Sequence, residues 1–181
     1  MTNKIIVIKY FLFRVKPIWL ILFCVFFLLV IEVSISFLFF LFKIPHESNH
    51  PLNLPNTYFE MILYFISRFI KACFIGPLIE TLIFQYLIHY ILCVKFKCNS
   101  ILFIFLSALL FGLTHFFYLS TVILTFFICV FINFLYVNLI KGYQYRSSFI
   151  IIFLIHSIFN TCIFLNQILS ISFKHSYLKV S

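Results

Sequence analysis

The sequence predicts an all-α fold, a polytopic bundle of five to six transmembrane helices. The chain of 181 residues is 65% hydrophobic and only 9% charged, whereas a soluble domain carries about a quarter charged residues. Its mean hydropathy is +1.20. Several apolar runs are about 20 residues long, enough for a helix to cross a bilayer. We therefore expect a single integral membrane domain over residues 1–181, multi-pass and located in a bacterial plasma membrane.

The first predicted span covers residues 18–42 and follows a basic segment. Its apolar run is longer than the core of a signal peptide, and no small-residue cleavage site follows, so we interpret it as an uncleaved span. Glu32 lies in the middle of this span near two serines, and we expect a structural or lumen-facing role for it. A polar loop with three prolines, KIPHESNHPLNLPN, follows at residues 43–56.

Gly76 and Pro77 divide the next apolar stretch. Residues 59–75 contain two basic residues and are short for a span, so they are expected to lie along the interface or to cross inside a bundle. Pro77 suits the first turn of a helix, and a new helix is expected to start there. Further boundaries are predicted by the apolar runs: this helix ends at about residue 94, and later spans cover about 100–118, 121–140 and 147–169.

The net charge of +9 is explained by basic residues at the ends of the predicted spans, where they meet anionic lipid headgroups. Membrane lipid is therefore an expected partner, and no nucleic-acid partner is expected. If residues 59–75 do not cross separately, the N-terminus lies inside and eight basic residues share its face, as the positive-inside rule requires. If they do cross, this bias nearly vanishes. The eight are Lys4, Lys9, Arg14, Lys16, Lys95, Lys97, Lys141 and Arg146.

The polar residues exclude several kinds of membrane enzyme. The chain has no Asp, which excludes an aspartyl protease that needs two of them, and no HExxH, which excludes the zinc site-2 type. Its three glycines form no phosphate-binding loop. The six cysteines have no CxxC or zinc-ligand spacing, so no disulfide framework is expected.

Four residues remain as candidates for chemistry: Glu80, His115, His156 and Asn160. His115 shares a helix face with Phe111, and His156 shares one with Asn160, because each pair is four residues apart. Helix rise places Glu80 and His115 at similar depth in the hairpin they form, within roughly 5 Å. His156 is expected about 12 Å shallower than His115 unless its helix is tilted or longer.

Three segments, ETLIFQ, FGLTH and HSIFN, occur in this order on separate predicted spans. They resemble the motifs EExxxR, FxxxH and HxxxN of the CPBP family, which includes the type 2 CAAX prenyl proteases and the bacteriocin-processing Abi proteins. The resemblance covers roughly residues 76–165. Thr81 stands where the family has a second Glu, and Gln85 stands where it has Arg. These departures are mutually consistent, since a neutral Thr81 removes the need for a neutralising Arg.

The resemblance implies an intramembrane, glutamate-dependent endopeptidase that cuts a membrane-associated or hydrophobic peptide. It implies that Glu80 acts as general base on a water that His115 helps to position, while His156 and Asn160 donate hydrogen bonds to the oxyanion. The supporting positions are Thr81, Gln85 and Phe111. We expect no metal cofactor. The alternative is a zinc ion held by Glu80, His115 and His156, but Asn is a poor zinc ligand and no HExxH-like geometry is present.

Two other classes of function stay open. A non-catalytic bacteriocin-immunity or scaffold protein of the same fold is supported by the departures at Thr81 and Gln85. A small transporter would use Glu80 and His115 as a proton relay, although the chain is short and has no repeated half. His89 lies nine residues after Glu80, is expected to face roughly the opposite way, and is left out of the site.

Overall fold

The computed structural model describes residues 16–44, 57–116 and 118–178, without the side chains of residues 58 and 170–178. These residues are helical apart from short turns, with no strand among them, so the predicted all-α fold is confirmed. Lys4, Lys9, Arg14 and most of the polar loop at 43–56 lie outside the described residues. Nothing in the structure tests the expectation of a single domain, which stays a prediction.

Five helices make up the described part of the chain. Four of them are long and apolar enough to cross a membrane, and the third is a shorter apolar helix. The protein is therefore an integral membrane protein, and four candidate spans with one shorter apolar helix agree roughly with the predicted five to six spans. Their bounds are α1 Pro17–Leu41, α2 residues 58–95, α3 Ser100–Leu113, α4 Leu119–Ile140 and α5 Tyr145–Leu178.

The predicted break at Gly76 and Pro77 is wrong, because α2 runs through both residues without interruption. Proline cannot donate a backbone hydrogen bond, and its ring crowds the preceding turn. A π-helical turn at Lys71–Ile75 comes directly before, and Gly76 N–H bonds to Lys71 O within it. We attribute the continuity to this wider turn, which accommodates the proline. Residues 59–75 are thus the first part of one long crossing helix.

Other helix ends also differ from the prediction, most of all in α3 and α5. The helix α3 ends at Leu113 instead of residue 118, where the Thr114 hydroxyl donates to Phe111 O at 2.6 Å. A threonine hydroxyl competes in this way for carbonyls of the last turn. The helix α5 starts at Tyr145 and continues to Leu178, two residues earlier and nine later than expected. His115 therefore lies in a turn just beyond a helix, and His156 lies deeper along α5.

The apolar core lies where α1, α4 and α5 meet, with contributions from α3. Leu28, Tyr136, Leu139, Ile152 and Ile155 are all 0% exposed there. Many other large apolar side chains are exposed on the outside of the bundle, where lipid tails solvate them as well as a core does. The core therefore positions the helices. The few polar residues buried in it are unusual for a membrane bundle.

The helices α3 and α4 pack very closely at Gly112. A Cβ atom added to Gly112 would lie 3.0 Å from Val122 O and 3.3 Å from Phe126 Cβ. Small residues let membrane helices approach in this way. The contact fixes the end of α3, from which His115 projects.

Candidate active site

The Glu80 carboxylate lies beside His156, which α5 brings to α2. Their atoms Oε2 and Nε2 are 3.3 Å apart, and the side chains are 28% and 6% exposed, respectively. His156 was expected to lie shallower in the membrane than His115. The earlier start of α5 accounts for part of the difference. The π turns of α2 account for more of it, because a π turn takes more residues than an α turn and so advances less per residue.

His115 lies near Glu80 and His156. It is close enough to interact electrostatically with both Glu80 and His156. Its Nδ1 lies 3.0 Å from Phe111 O and 3.1 Å from the Thr114 hydroxyl. A carbonyl oxygen only accepts, so Nδ1 carries the hydrogen, and a neutral His115 keeps its lone pair on Nε2.

Phe111 forms the apolar wall between the two histidines. Its ring centroid is 4.8 Å from that of His115 and 6.3 Å from that of His156. It also packs edge-on against Phe84 of α2 at 5.1 Å and is only 5% exposed. The predicted pairing of Phe111 with His115 is therefore present, although His115 lies in the turn after α3.

Asn160 lies one turn beyond His156 and connects α5 to the N-terminal half of α2. Its Nδ2 donates to Ala72 O at 3.0 Å, within the π turn Lys71–Ile75. A second π segment, Thr81–Leu87, has a similar contact, since the Ser107 hydroxyl donates to Phe84 O at 2.6 Å. Side chains from neighbouring helices thus bind carbonyls where the regular α ladder is interrupted.

Thr81 and Gln85 are buried in the bundle, at 0% and 2% exposed. Gln85 Nε2 donates to Asn133 Oδ1 at 3.1 Å and lies 3.7 Å from Cys129 Sγ. Asn133 Nδ2 in turn donates to Ile104 O of α3 at 3.1 Å. Gln85 therefore joins an amide network across three helices. The sequence interpretation missed Asn133, although an Asn within an apolar run was a signal for it.

The prediction that His89 faces away from the site side is wrong. His89 is 4% exposed and points into the bundle. Its ring packs at right angles to those of Phe103 and Tyr136, at 5.0 Å and 5.4 Å. The prediction used the angle of a regular α-helix, whereas the π segment Thr81–Leu87 between Glu80 and His89 changes that angle.

Glu80, His115 and His156 are the residues considered for a zinc ion. Within residues 16–44, 57–116 and 118–178, no group of three His, Cys, Asp or Glu side chains is placed to hold a metal ion. The expectation of no metal cofactor and its zinc alternative both stay predictions.

Fold and site together define a multi-pass membrane protein with a carboxylate and two histidines inside a helical bundle. A comparison with protein-family models matches residues 61–162 to the family described as type II CAAX prenyl endopeptidase Rce1-like. This match covers more than half of the chain, so the chain belongs to that family, and the resemblance seen in its motifs is confirmed. The family is one of membrane proteases. No curated protein and no solved structure matches the chain.

Proposed function

We propose that this protein is an intramembrane endopeptidase that uses Glu80 to activate water. The observation that carries the proposal is the Glu80 carboxylate, 28% exposed and 3.3 Å from His156 inside a membrane bundle. A carboxylate at such a position is costly and is kept for function more often than for stability. Membership of a protease family makes peptide hydrolysis the reaction that fits.

The reaction begins with a water between Glu80 and His115. The Nε2 lone pair of His115 orients the water, and the Glu80 carboxylate takes its proton. The water oxygen bonds to the peptide carbonyl carbon, and the carbonyl oxygen becomes an oxyanion. Glu80 then returns the proton to the peptide nitrogen as the C–N bond breaks, so atoms and charge balance.

His156 and Asn160 are proposed as the oxyanion donors. His156 Nε2 already faces the carboxylate at 3.3 Å, so its N–H can donate to an oxyanion formed next to Glu80. Asn160 has two amide hydrogens, and the bond to Ala72 O uses one of them. The other is free to donate, and the first bond restrains the amide, which is the preorganisation that oxyanion stabilisation requires.

The substrate class follows from the location of the site. Glu80 and His156 lie among helices whose outer surfaces are apolar, so a peptide reaching them is hydrophobic or held at the membrane. A prenylated protein fits the family's description, and a bacteriocin leader peptide in a bacterial plasma membrane fits the Abi resemblance. The proposed partners are therefore membrane lipid and such a peptide, with no metal cofactor and no nucleic acid.

Replacing Glu80 by Gln tests the proposal, because the change keeps the shape and removes the base. Cellular peptide N-termini are compared between the wild type, Glu80→Gln and the control Glu60→Gln, which removes an exposed carboxylate from the same helix. We expect a set of membrane-proximal cleavages to disappear only in Glu80→Gln, at equal protein level. The lost cut sites then identify the substrate.

A non-catalytic immunity or scaffold role is the second candidate, because neutral Thr81 and Gln85 occupy two positions that are charged in the family motif. Under this role, Glu80→Gln changes no cleavage, while a phenotype such as bacteriocin resistance persists in both variants. That outcome contradicts the endopeptidase proposal.

A further inference from the structure

Buried positions on α2 recur every four residues, at Cys73, Pro77, Thr81, Gln85 and His89. A regular α-helix turns by about 100° per residue, so this stripe would drift by about 40° at each step. The π turns of α2 wind more residues into each turn and offset the drift. The stripe therefore stays on the side of α2 that faces the interior of the bundle.

The last three positions of the stripe are polar, and each has an atom that no described residue hydrogen-bonds. These atoms are Thr81 Oγ1, Gln85 Oε1 and His89 Nδ1. Their residues are 0%, 2% and 4% exposed. Tyr136 of α4 adds a fourth such atom, its hydroxyl, and is 0% exposed. Buried polar atoms in proteins are almost always bonded to protein or to ordered water, so this alignment points to bound water.

The hydrogen-bonding capacities of these atoms suit water. Gln85 Oε1 only accepts hydrogen bonds, whereas the Thr81 and Tyr136 hydroxyls both donate and accept. Water, which also does both, can satisfy all of them in one chain.

We propose that Thr81, Gln85, His89 and Tyr136 form an internal water-binding column that leads to the Glu80–His156 pair. Thr81 is next to Glu80 at one end. At the other end, the His89 ring lies 6.0 Å from that of Tyr145, which is 47% exposed at the start of α5. The column gives the site water from within the bundle. The supply of water to the site rests on the proposed function, since each peptide bond cleaved consumes one water. The binding of water in the column does not rest on it.

Hydroxyl-radical labelling by pulsed X-ray radiolysis tests the column, because radicals formed from bound water oxidise the side chains next to it. Purified wild-type protein in lipid nanodiscs is irradiated and analysed by mass spectrometry. We expect Tyr136 to be oxidised at a rate similar to that of Tyr90, which follows His89 on α2 and is 50% exposed. Cys24, 2% exposed in the apolar core, is the dry control and should be oxidised several-fold more slowly despite its reactive thiol.

Two variants complete the test. The change His89→Phe removes the water partner whose ring packs against Tyr136, and we expect it to lower Tyr136 oxidation several-fold. The change Glu80→Gln should leave Tyr136 oxidation unchanged, so the column and the endopeptidase proposal fail or stand separately.

Tyr136→Phe gives an independent measurement if His89→Phe does not fold. A hydroxyl bound to water stabilises the protein, so its removal should lower the Tm. A dry, unpaired hydroxyl destabilises the protein, so its removal would raise the Tm. The proposal is overturned if Tyr136 in the wild type is oxidised no faster than the background. It is also overturned if Tyr136→Phe has a higher Tm than the wild type.

Discussion

At the scale of single residues, the neutral pair Thr81 and Gln85 changes the surroundings of the Glu80 carboxylate. Gln85 bonds to Asn133 instead of balancing a second carboxylate. Asn133 has both ends of its amide engaged, through Gln85 and Ile104 O. A neutral amide network avoids the cost of burying charges, and it still holds α2, α3 and α4 together next to Glu80.

Replacing Asn133 by Leu should destabilise the protein, because it leaves the Gln85 amide buried without that partner. Interhelical hydrogen bonds in membranes contribute on the order of 1 kcal/mol, and we expect a loss of that size in thermal unfolding in detergent. The control is Asn138→Leu, since the side-chain bond that Asn138 makes to the described part of the chain is to Phe134 O, one turn back in its own helix. Equal Tm changes in the two variants would contradict the role of Asn133 as a bridge.

At the scale of secondary-structure elements, α2 is the unusual helix, because it alternates α and π segments along its length. The π turns let the helix continue past Pro77 and keep buried positions four residues apart on one side. They also present Ala72 O and Phe84 O to side chains of α5 and α3. π turns occur often at functional sites, and here they lie on both sides of Glu80.

The close packing of α3 on α4 is a second property of the elements, and Gly112→Ala tests it. The added methyl group would meet Val122 O at 3.0 Å, so one helix must move. We expect a loss of stability of about 1–3 kcal/mol, typical of overpacking, together with reduced cleavage because His115 follows three residues later. Leu113→Ala, at a residue 52% exposed to lipid, should change either property much less. A Gly112→Ala variant with wild-type stability would rule out this constraint.

At the scale of the whole molecule, the continuity of α2 decides between the two topologies. Residues 59–75 do not cross separately, so the loop after Lys95 and the loop after Lys141 lie at one end of the bundle. The N-terminal end of α1 shares that end, since α1 and α2 are consecutive crossing helices. Among the described residues, this end carries Lys16, Lys95, Lys97, Lys141 and Arg146. The positive-inside rule assigns such an end to the cytoplasm.

Cys98 provides a direct test of this topology, because it lies between α2 and α3 and is half-buried. A membrane-impermeant maleimide should label it in inverted membrane vesicles and leave it unlabelled in intact cells. Cys98→Ser should remove the label, which shows that no other cysteine is responsible. Labelling in intact cells would show that all five helices have the opposite orientation.

The sequence by itself determined the membrane class, the all-α fold and most helix positions. These depend on local composition: long apolar runs have only one stable form in lipid, a helix with its backbone bonds satisfied internally. The motif residues also brought the family into view, and residues 61–162 match it. Glu80, His115, His156 and Asn160 were identified as candidates by the exclusion of other site types and by the motif spacings, while their roles stay proposals.

The tertiary structure alone decided how α2 winds and what its interior side contacts. A π turn depends on the helices that bind its displaced carbonyls and fill its wider surface, and no local pattern in α2 encodes those partners. For the same reason the passage through Pro77, the burial of His89, the bridge at Asn133 and the contact between Glu80 and His156 emerged only from packing. Each is set by residues far apart in the chain that the bundle brings together.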